Sequence, residues 1–460
     1  MISTDYFEII KNIPEPLRIT NIRETIRKEN KDLNNKIVVI DDDATGCQTV
    51  HDVLILLDWN IELLKDTISK ENIFYILTNS RAYSSKKAKL INKEIAENLA
   101  GISDIQKLKV ISRSDSTLRG HFYPEVKILM ETLGPFDGII VAPFFYEGGR
   151  ITINGTHYVL NKNELVEVNK TEFSKDPVFK YNNAYLPLWI EEKSKGFWKK
   201  EDVTLIDINT IRKGGPEEIK KILLRINNGK PIVVDSICYE DLEVFVLGLI
   251  EAEKEGKRFL YRTAASFVKI RGGIEDKELT IPKKMENGLI VVGSYVYRTT
   301  LQLSKLLENA KNIINIELKI KDIVDNFKLY LKNIIRDINK YLSQNKSVII
   351  YTERKYFTKH GINDLKIGQK ISNFLGDLIK NIENRPDFII AKGGITSYIV
   401  AKRGLQAEKV KVIGQIYPGI PVWKLEDNSK FSGILYIVFP GNVGNENTLL
   451  EIYEKLTYVN

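Results

Sequence analysis

Short apolar, β-branched runs alternate with longer charged segments along most of the chain. KIVVI (36–40), IFYIL (73–77), LKVIS (108–112), GIIVAPFF (138–145), PIVVD (231–235) and RFLYRTA (258–264) form a first series. GLIVVGS (288–294), SVIIYT (347–352), DFIIAKGG (387–394), KVIGQI (411–416) and ILYIVFPG (434–441) form a second. Continuous apolar strands separated by helical segments predict parallel sheets covered on both faces. The pattern predicts an α/β fold of two domains, each a mostly parallel sheet flanked by helices. Residues 1–35 are charged and proline-marked and read as a helical N-terminal extension. The first domain then runs over 36–271, and the second over 289–460. The polar, glycine-bounded stretch GGIEDKELTIPKKMENG (272–288) reads as the linker. Residues 150–200, rich in asparagine, lysine and aromatics, break the rhythm and read as an insertion.

Polar or glycine-rich clusters follow six of the strands. In open parallel sheets ligands bind beyond the carboxyl ends of the strands. IDDDATG (40–46) places three carboxylates at one such end. Like charges this close resist joint ionisation unless something cationic or protic meets them. A turn, a general base, or acceptors for sugar hydroxyls all fit the triple. SRSDSTLRG (112–120) offers Arg113, Asp115, Ser116, Thr117 and Arg119, either a capped helix start or an anion site. Arg150 closes VAPFFYEGGR. The turns VGS (292–294), AKGGITS (391–397) and FPGNVGNEN (439–447) allow close approach of backbone to a ligand, and together they point to a nucleotide. No P-loop pattern is present.

Composition narrows the choice. The 460 residues are 43% hydrophobic and 28% charged, ordinary for a globular chain. The formal charge of +8 suits anionic small molecules and carries no basic block that calls for nucleic acid. Two cysteines, Cys47 and Cys238, make no disulfide framework or zinc site, so a reducing compartment is expected. The start lacks a signal-type apolar core, and no run is long enough to span a membrane, so the expected location is cytoplasmic. The histidines, at 51, 121, 157 and 360, have no metal-ligand spacing; packing or surface roles are expected, and no metal ligand is assigned.

The ordered clusters resemble the four-carbon acid sugar kinases, also described as domain of unknown function DUF1537. The matching residues are Asp42-Asp43-Ala44-Thr45-Gly46, Asp115 to Gly120, Gly149-Arg150 with Asn154-Gly155-Thr156-His157, Gly293-Ser294, Gly393 to Ser397, and Gly441 to Gly444. The resemblance implies a sugar-acid-binding N-terminal domain, a nucleotide-binding C-terminal domain, an active site in the cleft between them, and ATP-dependent phosphorylation of a hydroxyl on a short acid such as a threonate, erythronate or oxo-tetronate. It implies Asp42 or Asp43 as the catalytic base, and Asp42, Thr45, Arg113, Asp115, Ser116, Arg119, Arg150 and Asn154 around the sugar acid. Gly293, Ser294, Gly393, Gly394, Thr396, Ser397, Gly441, Asn442 and Gly444 would hold the nucleotide, with Mg²⁺ accompanying ATP. The partners implied are small molecules, with no membrane or nucleic acid and with a homodimer as the default assembly. Two positions depart from the family pattern. Cys47-Gln48-Thr49 replaces the usual continuation after Thr-Gly, and Ile395 stands where an acidic residue is common. Two other readings stay open. IVVIDDDAT also fits the haloacid-dehalogenase pattern, with Asp41 as phosphatase nucleophile and Asp43 as acid–base. A non-catalytic sugar-acid or nucleotide sensor is the third.

Overall fold

In a computed structural model, residues 4–102, 104–281, 285–354 and 365–457 are described. His360 and part of the expected linker, residues 282–284, lie outside them. The run KIVVID forms a strand with five of its six residues buried, as a sheet covered on both faces requires. The strands in chain order are β1 (Thr4–Asp5), β2 (Lys36–Asp41), β3 (Val53–Leu56), β4 (Ile73–Leu77), β5 (Leu108–Arg113), β6 (Gly138–Ala142), β7 (Arg150–Ile153), β8 (Thr156–Asn161), β9 (Glu164–Glu167), β10 (Thr204–Ile206), β11 (Lys230–Val234), β12 (Phe259–Thr263), β13 (Gly288–Val292), β14 (Ile313–Leu318), β15 (Ser347–Thr352), β16 (Phe388–Lys392), β17 (Lys409–Tyr417), β18 (Ile420–Leu425) and β19 (Leu435–Phe439).

The chain forms two compact units. The first comprises Met1–Val50 with Asp58–Asp276, and the second His51–Leu57 with Lys277–Asn460. In the first unit seven strands pair in parallel in the order β10-β11-β6-β12-β5-β2-β4. Helices connect them, among them Ser85–Ile102, Phe122–Leu133 and Tyr239–Lys254. The segment after β6 forms, with β1 from the start of the chain, a separate antiparallel sheet, β1-β9-β8-β7, followed by 3₁₀ turns and the helix Leu186–Lys193. Residues before β2 hold the helices Tyr6–Ile10 and Ile22–Asp32.

In the second unit β14, β15, β13, β16 and β19 are parallel neighbours. β18, β17 and β3 then continue the sheet antiparallel. The core around β13, β16 and β19 packs Ile290, Ile390 and Ile437 against Leu306, Leu449 and Tyr453 of the flanking helices. No described helix is long and apolar enough to cross a membrane.

Register decides which clusters meet. Asp41 at the end of β2 lies opposite Arg113 of β5, Arg113 opposite Thr263 of β12, and Thr263 opposite Ala142 of β6. The loops after these four strands therefore share one sheet edge. In the second unit Val292 lies opposite Lys392, and Lys392 opposite Phe439. The three glycine turns that follow are thus adjacent as well.

Candidate functional site

The acidic triple resolves into three different environments. Asp41 accepts from Arg113 Nη1 at 3.1 Å and from the backbone N–H of Asp43 at 3.2 Å. Burial pushes its carboxyl up to about 7, although the Arg113 guanidinium opposes the shift. Gly46 makes this packing feasible, since a Cβ there would sit 1.9 Å from Asp41 Oδ2. Asp42 is gripped from two sides. Arg81 donates to both of its oxygens, at 2.5 and 3.3 Å, and Ser114 Oγ donates at 2.7 Å. Asp43 accepts from the backbone N–H and the hydroxyl of Thr45 at 2.8 and 2.7 Å, and Arg81 lies at 3.4 Å. Burial alone would raise its carboxyl; Arg81 and the Thr45 hydrogen bonds outweigh that and hold it below the ordinary range. Side-chain exposure is 3% for Asp41, 2% for Asp42 and 19% for Asp43, so only Asp43 presents an open carboxylate.

The loop after β5 completes the lattice. Asp115 accepts from Arg119 Nε at 2.7 Å and from the Thr117 hydroxyl, and Arg81 stands 4.0 Å away. Despite burial, Arg119 and Arg81 hold its carboxyl well below the usual carboxylate range. Ser116 is buried, and its carbonyl accepts from His157 Nε2 at 2.7 Å. His157 Nδ1 meets the Thr152 hydroxyl at 2.9 Å, and burial lowers the ring to about 4, so the imidazole is neutral and props the loop. Arg150 and Arg119 both lie over the Phe173 ring, at 5.7 and 5.1 Å. Arg150 differs from the other arginines here. Among the described residues no carboxylate pairs with it, and its buried Nε has no hydrogen-bond partner. Asn154 is exposed at the tip of the β7–β8 hairpin. Asp235 anchors that tip by accepting from the N–H groups of Asn154 (2.6 Å), Gly155 (2.9 Å) and Ile208 (3.1 Å).

Several of these participants escape a reading of the sequence. Arg81 links Asp42, Asp43 and Asp115, yet in YILTNSR it looks like a surface residue after a strand. Its one signal is its position at a parallel strand's carboxyl end. Glu125 and Arg262, a buried pair at 2.7 Å beneath the loops, come from a helix and a strand and carry no local signal. Arg113, expected at the substrate, is committed to Asp41 and to Asp42, the latter at 3.9 Å.

In the second unit the three glycine turns touch one another. A Cβ on Gly293 would lie 2.3 Å from Thr396 Oγ1, one on Gly393 2.9 Å from Ser294 Cβ, and one on Gly441 2.9 Å from Ser294 Oγ. Gly393 has φ +116°, which side-chain-bearing residues rarely adopt. Ser397 Oγ donates to the carbonyls of Ala391 and Gly393, both at 2.9 Å. Gly394 opens the helix Gly394–Ile399, and Ile395 is exposed beside it. Asn442 is exposed, and Gly444 packs on Thr448 with φ +80°.

Two family models match the chain. A family model described as a sugar-binding N-terminal domain matches residues 37–271. One described as a nucleotide-binding C-terminal domain matches residues 289–449. The chain belongs to the four-carbon acid sugar kinase family. A D-erythronate kinase of Heliobacterium modesticaldum is 27% identical over 291 residues, which is 60% of this chain and 61% of that protein. Among solved structures, a Haemophilus influenzae DUF1537 protein aligns with a TM-score of 0.63 at 19% identity, covering 91% of this chain and all of that one. A Salmonella typhimurium protein aligns at 0.69 and 16% identity, covering 91% of this chain and 99% of its own. At these identities the two structures speak for the fold. Asp41, the nucleophile that the phosphatase reading requires, is buried against Gly46 and ion-paired to Arg113.

Proposed function

We propose that the protein transfers the γ-phosphoryl group of ATP to a hydroxyl of a short sugar acid, with D-erythronate the first acid to test. The observation that carries this reading is that family membership coincides with two sites of complementary chemistry. The first unit holds a carboxylate–guanidinium lattice with one partly open carboxylate and, among the described residues, one arginine that no carboxylate pairs. The second holds touching glycine turns.

In this reading the carboxylate of the acid pairs with Arg150, the cation of the cluster that lacks an acidic partner. Asp43 accepts the hydrogen bond of the attacking hydroxyl and takes its proton, because it alone of the triple is both ionised and open. Asp41 and Asp42 hold Arg113 and Arg81 in place, and Arg81 bridges Asp43 and Asp115 and offsets their mutual repulsion. Thr45 and Asn154 border the acid's hydroxyls. The adenosine phosphates lie over Gly293-Ser294, Gly393–Ser397 and Gly441–Gly444. Phosphoryl transfer through a loose transition state asks mainly for alignment and charge neutralisation, which these groups supply. A divalent cation is the usual companion of ATP. Among the described residues no group of three or more His, Cys, Asp or Glu side chains is disposed to hold one, so every step here rests on the chain's own residues.

The test is ADP release from ATP across four- to six-carbon sugar acids, with Asp43→Asn as control. Acid-dependent release that is lost in the variant is the expected result. No release with any acid, together with phosphate release from phosphorylated sugars that requires Asp41, overturns the reading.

A further inference from the structure

The two units treat the cations beside their loops differently. In the first, Arg81, Arg113 and Arg262 each meet a carboxylate. In the second, three cations gather at the glycine turns and none has an acidic partner among the described residues. Lys392 is fully buried. Its Nζ donates to the carbonyl of Pro440 at 2.5 Å and lies 3.6 Å from the centre of the Phe439 ring. Arg354 Nη1 donates to the carbonyl of Ser294 at 2.5 Å, while its Nε and Nη2 are buried without a partner. Arg298 Nη1 donates to the carbonyl of Gly444 at 2.7 Å.

The carbonyls of the turn after β19 are drawn onto side-chain donors one after another: Pro440 by Lys392, Gly441 by Thr299 at 2.8 Å, Val443 and Asn445 by Gln302 at 2.9 and 2.7 Å, and Gly444 by Arg298. A trans peptide whose carbonyl points one way presents its N–H the other way. Holding the buried Lys392 ammonium and two buried guanidinium nitrogens of Arg354 beside such a turn is costly in the absence of an anion. Burial, with Arg298 nearby, drives the Lys392 ammonium well below its ordinary range, and burial lowers Arg354 to about 10. Both are disfavoured as they stand.

We propose that Lys392, Arg354 and Arg298 form the cation set of a polyphosphate site, completed by the nucleotide's phosphates rather than by any carboxylate of the chain. This rests on the nucleotide reading above and adds the residues that supply its charge. The turns give the shape of the site, and the three cations give its affinity for phosphate over any neutral part of the ligand. The cost of burying the Lys392 ammonium and the Nε and Nη2 of Arg354 without an anion is the reserve that the ligand releases.

Isothermal titration of ATP, ADP, tripolyphosphate and adenosine tests it, on the unaltered chain and on Lys392→Met and Arg354→Gln. Loss of one charge-assisted contact should weaken ATP and tripolyphosphate by roughly ten- to a hundredfold. Adenosine affinity should stay constant. The ligand-free Lys392→Met protein should melt no lower than the original, since an uncompensated buried charge has been removed. That opposition of signs separates phosphate binding from a purely structural role, which would lower melting temperature and all affinities together. Arg354→Gln, at a more exposed position, covers the case in which Lys392→Met fails to fold. ATP affinity within twofold of the original in the folded variants, or equal weakening of adenosine, overturns the inference and leaves the nucleotide reading intact. If ATP and ADP do not bind the unaltered chain, the nucleotide reading falls and this one with it.

Discussion

Asp42 keeps both carboxylate oxygens occupied by Arg81 and Ser114 in a nearly dry setting. Removing one partner of a buried pair leaves an uncompensated charge, and that costs more than the pair itself contributes. Arg81→Met should therefore destabilise the first unit by about 3–5 kcal/mol. The double variant with Asp42→Asn should lose less than Arg81→Met alone. Denaturant unfolding of the three variants measures this, and additive losses would contradict it. Asp235 gives a pH signature at the same scale. Burial pushes its carboxyl up to about 7, and three backbone N–H groups only partly offset that. An unfolded aspartate titrates near about 3.9. The folded chain thus holds this proton more tightly, so the contribution is full below about pH 4 and is lost as pH rises through about 7. The stability difference between the original protein and Asp235→Asn should shrink steadily over that window. Unfolding curves at pH 5 and pH 8 decide it, and a constant offset would refute the assignment.

At the scale of elements, the turn after β2 shows why glycine follows the acidic run. A Cβ at position 46 would overlap the Asp41 carboxylate, and that carboxylate orients Arg113. Gly46→Ala should displace the lattice by a fraction of an ångström to an ångström and reduce sugar-acid turnover by roughly a hundredfold. Nucleotide affinity, which depends on other turns, should be unchanged; equal loss of both would point to global misfolding instead. The same scale explains what could be read in advance. Strands such as KIVVI and DFIIA announce themselves because a strand covered on both faces must be apolar throughout, and their carboxyl ends locate the loops. The antiparallel hairpin β17–β18 is less apparent as part of a largely parallel sheet. Lys409–Tyr417 alternates buried and half-buried residues, the period-two pattern of a half-covered strand, while IPVWKL passes for loop because it begins next to a proline. The partners Arg81, Glu125, Arg262 and Asp235 stay hidden for a different reason. Their roles exist only once parallel register sets them beside loops tens of residues away.

At the scale of the whole molecule, the boundary at residues 272–288 does not divide the chain into two self-sufficient pieces. The loop carrying Asp42 to Thr45 runs on into residues 51–57, and these belong to the second unit. There β3 pairs with β17 through Lys409–Leu56, Val410–Ile55, Lys411–Leu54 and Val412–Val53. Backbone bonds from Asp52 to Val412 and from Leu57 to Glu408, each 2.7 Å, extend the ladder at both ends. Val53, Ile55 and Leu56 are buried there. A fragment beginning at Lys277 therefore lacks its edge strand and leaves β17 with a row of unpaired backbone groups beside apolar side chains. Such an edge recruits other chains. The fragment should self-associate, and a synthetic peptide of residues 51–57 should suppress the association by taking the place of β3. Light scattering of the fragment with and without the peptide measures both effects. A monomeric fragment that unfolds as the second unit does in the full chain, with no response to peptide, would mean that β17 closes the sheet by itself. Association that the peptide relieves would mean that the segment following the sugar-site carboxylates is a structural part of the nucleotide-binding unit, so that a change in the acidic loop pulls directly on that unit's sheet.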